Sequence, residues 1–198
     1  MNHSEYFNEM YHTDDDPWGY NQHWYEQRKK QLCLAVLTRA RYGLVLEMGC
    51  SNGHLSEHLA QRADQLICVD VSDHAVQLAA QRLQAYSHVQ VQNKKLPEAF
   101  PEHRFDLIVI SEVAYYLSRA ELDQLIACLK VHLSEKGEIL CCHWRYAIDH
   151  FELDAEKVHQ QFKKDLSLKH YLSLSDSDFV IDLWTMNESS LAQQEGLI

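Results

Sequence analysis

From Val45 to Gly53 the chain reads VLEMGCSNG, an apolar run that carries Glu47 and breaks at Gly49 and Gly53, with Cys50, Ser51 and Asn52 between the two glycines. Glycine lets the backbone turn tightly and come close to a ligand. The helix-like stretch that follows, with Leu55 and Leu59, points its free N–H groups at the same place. The dinucleotide fingerprint GxGxxG is not met, which counts against nicotinamide-dependent redox chemistry. A second apolar run, Leu66 to Val69, ends in Asp70, 17 residues beyond Gly53, where a carboxylate can accept from both hydroxyls of a ribose. Turn and acid together indicate an adenosine-type ligand.

The elements that must position these residues alternate between short strand-like and longer helix-like runs, the pattern of parallel strands joined by crossover helices. Strands are expected at Leu44–Met48, Leu66–Val71, Val89–Gln92, Leu107–Ser111 and Glu138–His143, several of them continuously apolar as in a sheet covered on both faces. Ser72 caps a helix with Val76, Ala79, Ala80 and Leu83 on one face. Ser118 and Glu121 form a capping box ahead of Leu122, Leu125, Ile126 and Leu129, and Gly137 is expected past that helix's end. A further helix starts near Ala155, carrying Val158 and Phe162. Lys169–Leu174 and Phe179–Met186 then read as a hairpin turning through Ser175, Asp176, Ser177 and Asp178. Residues 1–20 lie outside this alternation, and Asn21–Ala40 is helix-like. The expected organisation is an N-terminal lid segment and helix (1–40), an α/β domain (41–190) and a frayed tail (191–198).

Composition sets the outer bounds. The 198 residues are 46% hydrophobic and 24% charged, enough apolar surface to fold as one ordinary domain. Eighteen Lys and Arg against 29 Asp and Glu give a net charge of −11, which repels a phosphate backbone, so nucleic acid is not expected as a partner. No run suits a membrane span, and the start MNHSEYFNEM lacks a basic stretch followed by an apolar one, so the expected compartment is the cytoplasm. The six cysteines form no CxxC pair and read as reduced, mostly buried thiols. His54 and His58 share a helix face but lack a third ligand, and Asp14–Asp16 lack the spacing of a calcium loop, so no metal is expected.

VLEMGCSNG, VDVS, FDLIVISEVAYYL and GEILCCHWR, in this order and spacing, resemble the successive strand ends of class I S-adenosylmethionine-dependent methyltransferases. With DPWGYNQHWYEQRKK ahead of the first strand, SEVAYYL after the fourth and HWR after the fifth, the chain is similar to the NodS-type group from about Tyr6 to Trp184. The resemblance implies a Rossmann-like, seven-stranded, mostly parallel sheet with helices on both faces and an antiparallel edge hairpin, and S-adenosylmethionine as cofactor. It implies that Glu47, Gly49, Ser51 and Gly53 line the methionine part, that Asp70 holds the ribose, and that Val71 lies against the adenine. Gln92 or Asn93 would stand near the adenine amine, where many relatives have Asp, and Ser111 and Glu112 would close the pocket beneath the transferable methyl. The N-terminal segment resembles a flap in which Trp18, Trp24 and Tyr25 exclude water and Arg28 pairs with the cofactor carboxylate.

Methyl transfer from a sulfonium mostly needs an unprotonated nucleophile held in line, so positioning supplies most of the rate. An amine arrives as ammonium and needs a carboxylate or imidazole to bind it and take its proton. Glu112, Tyr115, Tyr116, His143 and Trp144 fall at the carboxyl ends of the fourth and fifth strands, where open α/β sheets bind ligands. Glu112 and His143 are the first catalytic candidates, with Tyr115 beside them. Among the resemblance's relatives, those named for nodulation are similar to an N-methyltransferase acting on the free amine of a chitooligosaccharide. The expected acceptor is thus a small molecule carrying an amine nitrogen, met by a monomer or homodimer. O-methylation of a small metabolite and non-catalytic S-adenosylmethionine binding are the alternatives. Deleting residues 1–20 is expected to weaken S-adenosylmethionine binding strongly in calorimetry; an unchanged affinity would dispose of the lid.

Overall fold

A computed structural model describes residues 3–198. Its sheet contains β1 (Tyr42–Met48), β2 (Ala63–Asp70), β3 (Val89–Asn93), β4 (Phe105–Ser111), β5 (Leu133–Trp144), β6 (Lys169–Ser175) and β7 (Phe179–Thr185). The order is β3-β2-β1-β4-β5-β7-β6, with β7 antiparallel to β5 and β6 and the remaining pairs parallel. The chain steps outward from β1 to β3, then returns to the other side of β1 as β4. At such a reversal the connections leave in opposite directions and open a crevice at the carboxyl ends of the strands. The fold is the Rossmann-like class I methyltransferase architecture.

Both faces of the sheet are covered, which explains the unbroken apolar runs. Leu46, Met48, Ile108 and Ile110 pack with Leu122, Leu125 and Leu129 of α5 (Arg119–His132) and Phe162 of α6 (Ala155–Asp165). Val45, Leu107, Val109 and Leu140 pack on the opposite side with Cys33 of α2 (Trp24–Ala35), Leu59 of α3 (Ser56–Ala60) and Ala79 of α4 (Asp73–Arg82). Ser72 caps α4 by accepting from the Ala75 N–H, and both bonds of the Ser118–Glu121 capping box form at α5. A cap contributes about 1 kcal/mol. Each buried Leu or Ile on α5 contributes about 1.5–3 kcal/mol, so packing rather than capping holds that helix. The six cysteines are free, and no helix among the described residues is long and apolar enough to cross a membrane.

Four local expectations are corrected. α5 passes through Leu133 straight into β5, which is longer than expected, so Gly137 lies past the end of α5, as expected, but inside that strand and not beside it. A Cβ there would stand 2.6 Å from the Leu133 side chain and 2.9 Å from the Phe105 carbonyl, so close packing excludes a side chain. The segment before Pro17 contains a helix, α1 (His3–Thr13), and α2 is shorter than Asn21–Ala40. The tail is not frayed throughout, since Ser190 and Gln193 box-cap a short turn, α7 (Leu191–Gln194). The remaining helical element is a 3-10 turn, Ala114–Tyr116, after β4.

Gly53 joins the first turn to α4, at φ +80° with an added Cβ 3.1 Å from the Ala79 Cα. Gly53→Ala therefore combines left-handed backbone strain with overpacking and is expected to lower the unfolding free energy by about 2–4 kcal/mol in urea melts. A parental midpoint would contradict this close approach.

Candidate active site

A cavity of about 720 Å³ opens at the reversal point, floored by Met48, Gly49, Ser51, Val69, Asp70, Val71, Ser111 and Glu112. The turn after β1 is built for close approach: Gly49 and Ser51 have φ +69° and +54°, and the Gly49 and Cys50 N–H groups both donate to the Val69 carbonyl. The Asp70 carboxylate ties this turn to the start of α4, accepting from the Ser51 N–H at 2.8 Å through one oxygen and from the Ser72 N–H at 3.0 Å through the other. Burial pushes the Asp70 carboxyl above its ordinary range while these N–H bonds pull the other way. A carboxylate has about four acceptor positions, so two remain for a ligand. The Ser51 hydroxyl is hydrogen-bonded to the Tyr11 hydroxyl of α1.

The opposite wall is a buried ionic cluster. Lys29 of α2 lies 3.0 Å from Glu26 Oε1 and 2.9 Å from Glu112 Oε1, with its Nζ 5.0 Å from the centre of the Tyr25 ring. Burial opposes the Lys29 charge, but the Glu112 and Glu26 carboxylates outweigh it and hold the ammonium above the usual lysine range. Burial pushes the Glu26 carboxyl up, countered by Lys29. Glu112 sits at φ +56°, and its Oε2 accepts from the Trp144 N–H at 2.9 Å and from the Tyr115 hydroxyl. Burial raises the Tyr115 hydroxyl far above its ordinary value, so it donates and does not act as a base. The Tyr25 hydroxyl is buried with no hydrogen-bond partner among the described residues. A buried hydroxyl left unsatisfied costs about 1–3 kcal/mol, which a polar ligand atom would recover.

Several expected site residues lie elsewhere. Arg28 turns outward and pairs with Asp176 at 2.8 Å, so the α2 cation that faces the cavity is Lys29. His143 is wholly buried behind the wall, where its Nε2 accepts from the Ala114 N–H and its Nδ1 meets His159. Burial first, then His159, holds it well below the usual histidine range, and it does not line the cavity. Gln92 bonds Gln90 and Asn93 bonds the Val71 carbonyl; that end of the cavity is walled by Lys94, Lys95 and Leu96. Gly53 packs on α4 outside the cavity. Glu47 lies beneath the turn, bordering a smaller cavity of about 50 Å³ with Cys50 and His54. Tyr25, Gly49, Ser51, Asp70, Val71, Ser111, Glu112 and Tyr115 do line the main cavity, as do Trp18 and Trp24.

Two contributors escaped the sequence analysis. Tyr6, Phe7, Met10 and Tyr11 of α1 form a cavity wall, and their spacing at i, i+1, i+4 and i+5 is a helical face that was legible before Pro17. Tyr25, Lys29 and Cys33 repeat at i, i+4, i+8, the inward stripe of α2, which leaves Arg28 about 100° round the helix.

Burial pushes the Glu47 carboxyl from 4.5 up to about 7. The folded state therefore favours the protonated form, and its contribution to stability is complete below about pH 4.5 and lost as pH rises through about 7. Glu47→Gln is expected to gain about 2 kcal/mol on the parent between pH 5 and pH 8 in parallel melts; a pH-independent difference would refute this.

The chain matches relatives along most of its length. The sequence model of the family described as Nodulation protein S (NodS) matches residues 8–167. Nodulation protein S of Bradyrhizobium diazoefficiens is 30% identical over 164 residues, covering 77% of this chain and 76% of that protein. Nodulation protein S of Rhizobium tropici is 30% identical over 128 residues, covering 64% of this chain, which spans 54% of that protein's length. A Pseudomonas syringae crystal structure, named only provisionally as a methyltransferase, is 45% identical with a TM-score of 0.74, covering 82% of this chain and 99% of that one. The N-methyltransferase NodS of Bradyrhizobium japonicum WM9, crystallised with S-adenosyl-L-homocysteine, has the same fold at TM-score 0.85 and 24% identity, covering 96% of this chain and 100% of that one. With the family model spanning the five strands β1 to β5 and both fixed points of the cavity, Asp70 and Glu112, this chain belongs to the Nodulation protein S (NodS) family.

Proposed function

We propose that the protein transfers a methyl group from S-adenosylmethionine to the amine nitrogen of a small molecule. The observation that carries this reading is that Glu112 opens into the same cavity as the Gly49–Ser51 turn and Asp70, so a cationic acceptor and an adenosyl group can share one space. The donors fit the cofactor: Asp70 keeps free lone pairs for ribose hydroxyls, Gly49 and Ser51 bring backbone close, and the Tyr25 hydroxyl awaits an acceptor. Asp70 and Val71 would hold the adenosine half, and Gly49, Ser51, Tyr25 and Ser111 the remainder. S-adenosylmethionine, when bound, supplies an electrophilic methyl on a sulfonium.

The residues of the chain do the rest. Glu26 and Glu112 place two carboxylates around the single ammonium of Lys29, leaving net negative charge at that wall to attract an ammonium acceptor. A carboxylate here accepts the proton that the acceptor nitrogen must lose before it can attack. The bonds from Tyr115 and the Trp144 N–H fix Glu112 in one orientation, and orientation is where a methyl transfer gains most of its rate. The α1 aromatics and Trp18 exclude water, which strengthens each of these electrostatic contacts. In this reading the protein works in the cytoplasm, where its six free thiols stay reduced, as a monomer or homodimer.

Calorimetry with S-adenosylmethionine and S-adenosylhomocysteine, followed by a screen of simple amines and free-amine glucosamine oligomers, tests the reading. Glu112→Gln is expected to cut turnover on an amine by at least about tenfold while leaving cofactor affinity mostly intact. Equal turnover in this variant would remove Glu112 from the proposed role.

A further inference from the structure

A chain of polar groups runs through the interior from the cavity wall to the edge of the sheet, and the proposed reaction makes no use of it. The Ala114 N–H donates to His143 Nε2 at 3.2 Å, His143 Nδ1 lies 2.9 Å from His159 Nε2, and His159 Nδ1 lies 2.6 Å from Asp182 Oδ2. His170 Nε2 meets the other Asp182 oxygen at 2.6 Å. The chain links the 3-10 turn, β5, α6, β7 and β6, and His143, His159 and Asp182 are each at most 6% exposed.

The proton positions follow from chemistry. A backbone N–H only donates, so His143 Nε2 must accept and its proton sits on Nδ1. That proton points at His159 Nε2, which must accept, so the His159 proton sits on Nδ1 and is given to Asp182. The carboxylate, an acceptor only, thus imposes one direction on every bond up to Ala114. If either imidazole carried its proton on Nε2, two donors would face each other somewhere along the chain. Burial opposes the Asp182 charge, but bonds from His159, Ser173 and His170 bring its carboxyl down to about 2, so this acceptor persists at any ordinary pH.

The far end of the chain is where it matters. Ala114 follows Glu112 and Val113 and begins the turn that carries Tyr115, whose ring packs edge-on against His143 with centroids 5.1 Å apart. Glu112 is in the left-handed region at φ +56°, a conformation that strains a non-glycine residue and persists only when the surroundings impose it. The Glu112 N–H to Cys142 carbonyl bond pins one side of this bend, and the Ala114–His143 bond pins the other. We propose that Asp182, acting through His159 and His143 on the Ala114 N–H, is a positioning residue that holds the Glu112–Tyr115 bend in the shape the methyl transfer needs. His143 is then a positioning residue as well, not the acid or base its place in the sequence suggested. The role in catalysis rests on the methyltransferase reading, whereas the direction of the hydrogen bonds does not.

Imidazole nitrogen-15 spectra of the parent protein come first, since they need no variant to fold: both His143 and His159 are expected as Nδ1–H tautomers, and an Nε2–H tautomer at either overturns the proposal. Asp182→Leu removes the anchor and is expected to speed hydrogen exchange at the Ala114 amide by at least about tenfold relative to other core amides. Asp182→Asn, whose carbonyl can still accept from His159, is expected to stay within about threefold of the parent, a rescue that a charge-only role would not show. With a free-amine glucosamine tetramer as probe, kcat is expected to fall about tenfold in Asp182→Leu with KM for S-adenosylmethionine near parental. If the parent does not methylate that probe, the functional reading fails while the tautomer and exchange results still decide this one. Parental Ala114 exchange in Asp182→Leu, or exchange raised equally at all core amides, overturns the proposal. Where Asp182→Leu does not fold, His143→Phe takes its place under the same criteria, and failure of both to melt cooperatively assigns the network to stability alone and overturns it too.

Discussion

The carboxylate of Glu112 is the contact on which the arrangement of the cavity depends. It reaches α2 through Lys29, β5 through the Trp144 N–H and its own turn through the Tyr115 hydroxyl. An ion withdrawn from water costs several kcal/mol unless its partners replace the lost hydration, and removing one member of a buried pair costs about 3–5 kcal/mol. The position of α2 over the sheet is therefore set by more than apolar contact. Lys29, already paired with Glu26 on its own helix, must also reach Glu112, and α2 docks where that contact forms.

The second fixed point lies across the cavity, where Asp70 gathers the N–H groups of Ser51 and Ser72. These two points belong to strands on either side of β1, and the reversal of strand order leaves the space between them unfilled by any connection. α1 roofs that space with aromatic side chains and reaches the turn through Tyr11 and Ser51, while the Asn8 amide oxygen accepts from the Ser72 hydroxyl. A ligand in the cavity would thus touch the same groups that hold the roof in place, so ligand binding and closure of the N-terminal segment draw on shared contacts.

Much of the fold was legible in the chain because it rests on local patterns. The Ser118–Glu121 box, the Ser72 cap and the apolar runs of β1, β2, β4 and β5 each follow from residues within one element. The same holds for the turn, since the positive φ of Gly49 and Gly53 is a property glycine announces. α1 was missed because polar residues, Pro17 and Gly19 obscured a short helical face. Gly137 was expected beside the strand and lies inside it, because the neighbouring Leu133 side chain and Phe105 carbonyl demand the absence of a Cβ there.

The sequence alone determined the α/β alternation, the glycine turn, the acid at Asp70 and the presence of Glu112 and Tyr115 at a strand end, because each depends on near neighbours in the chain. Only the tertiary structure decided which charges meet. Arg28 and Lys29 are adjacent in sequence, yet about 100° of helix rotation sends one to Asp176 at the surface and the other to Glu112 in the interior. His143 stands one residue before Trp144, whose N–H reaches Glu112, but the pleat of β5 turns the imidazole away from the cavity toward His159 and Asp182. Side-chain direction on a helix or strand is periodic, but which direction is inward is set by elements far away in the chain, and those contacts exist only once the sheet has assembled.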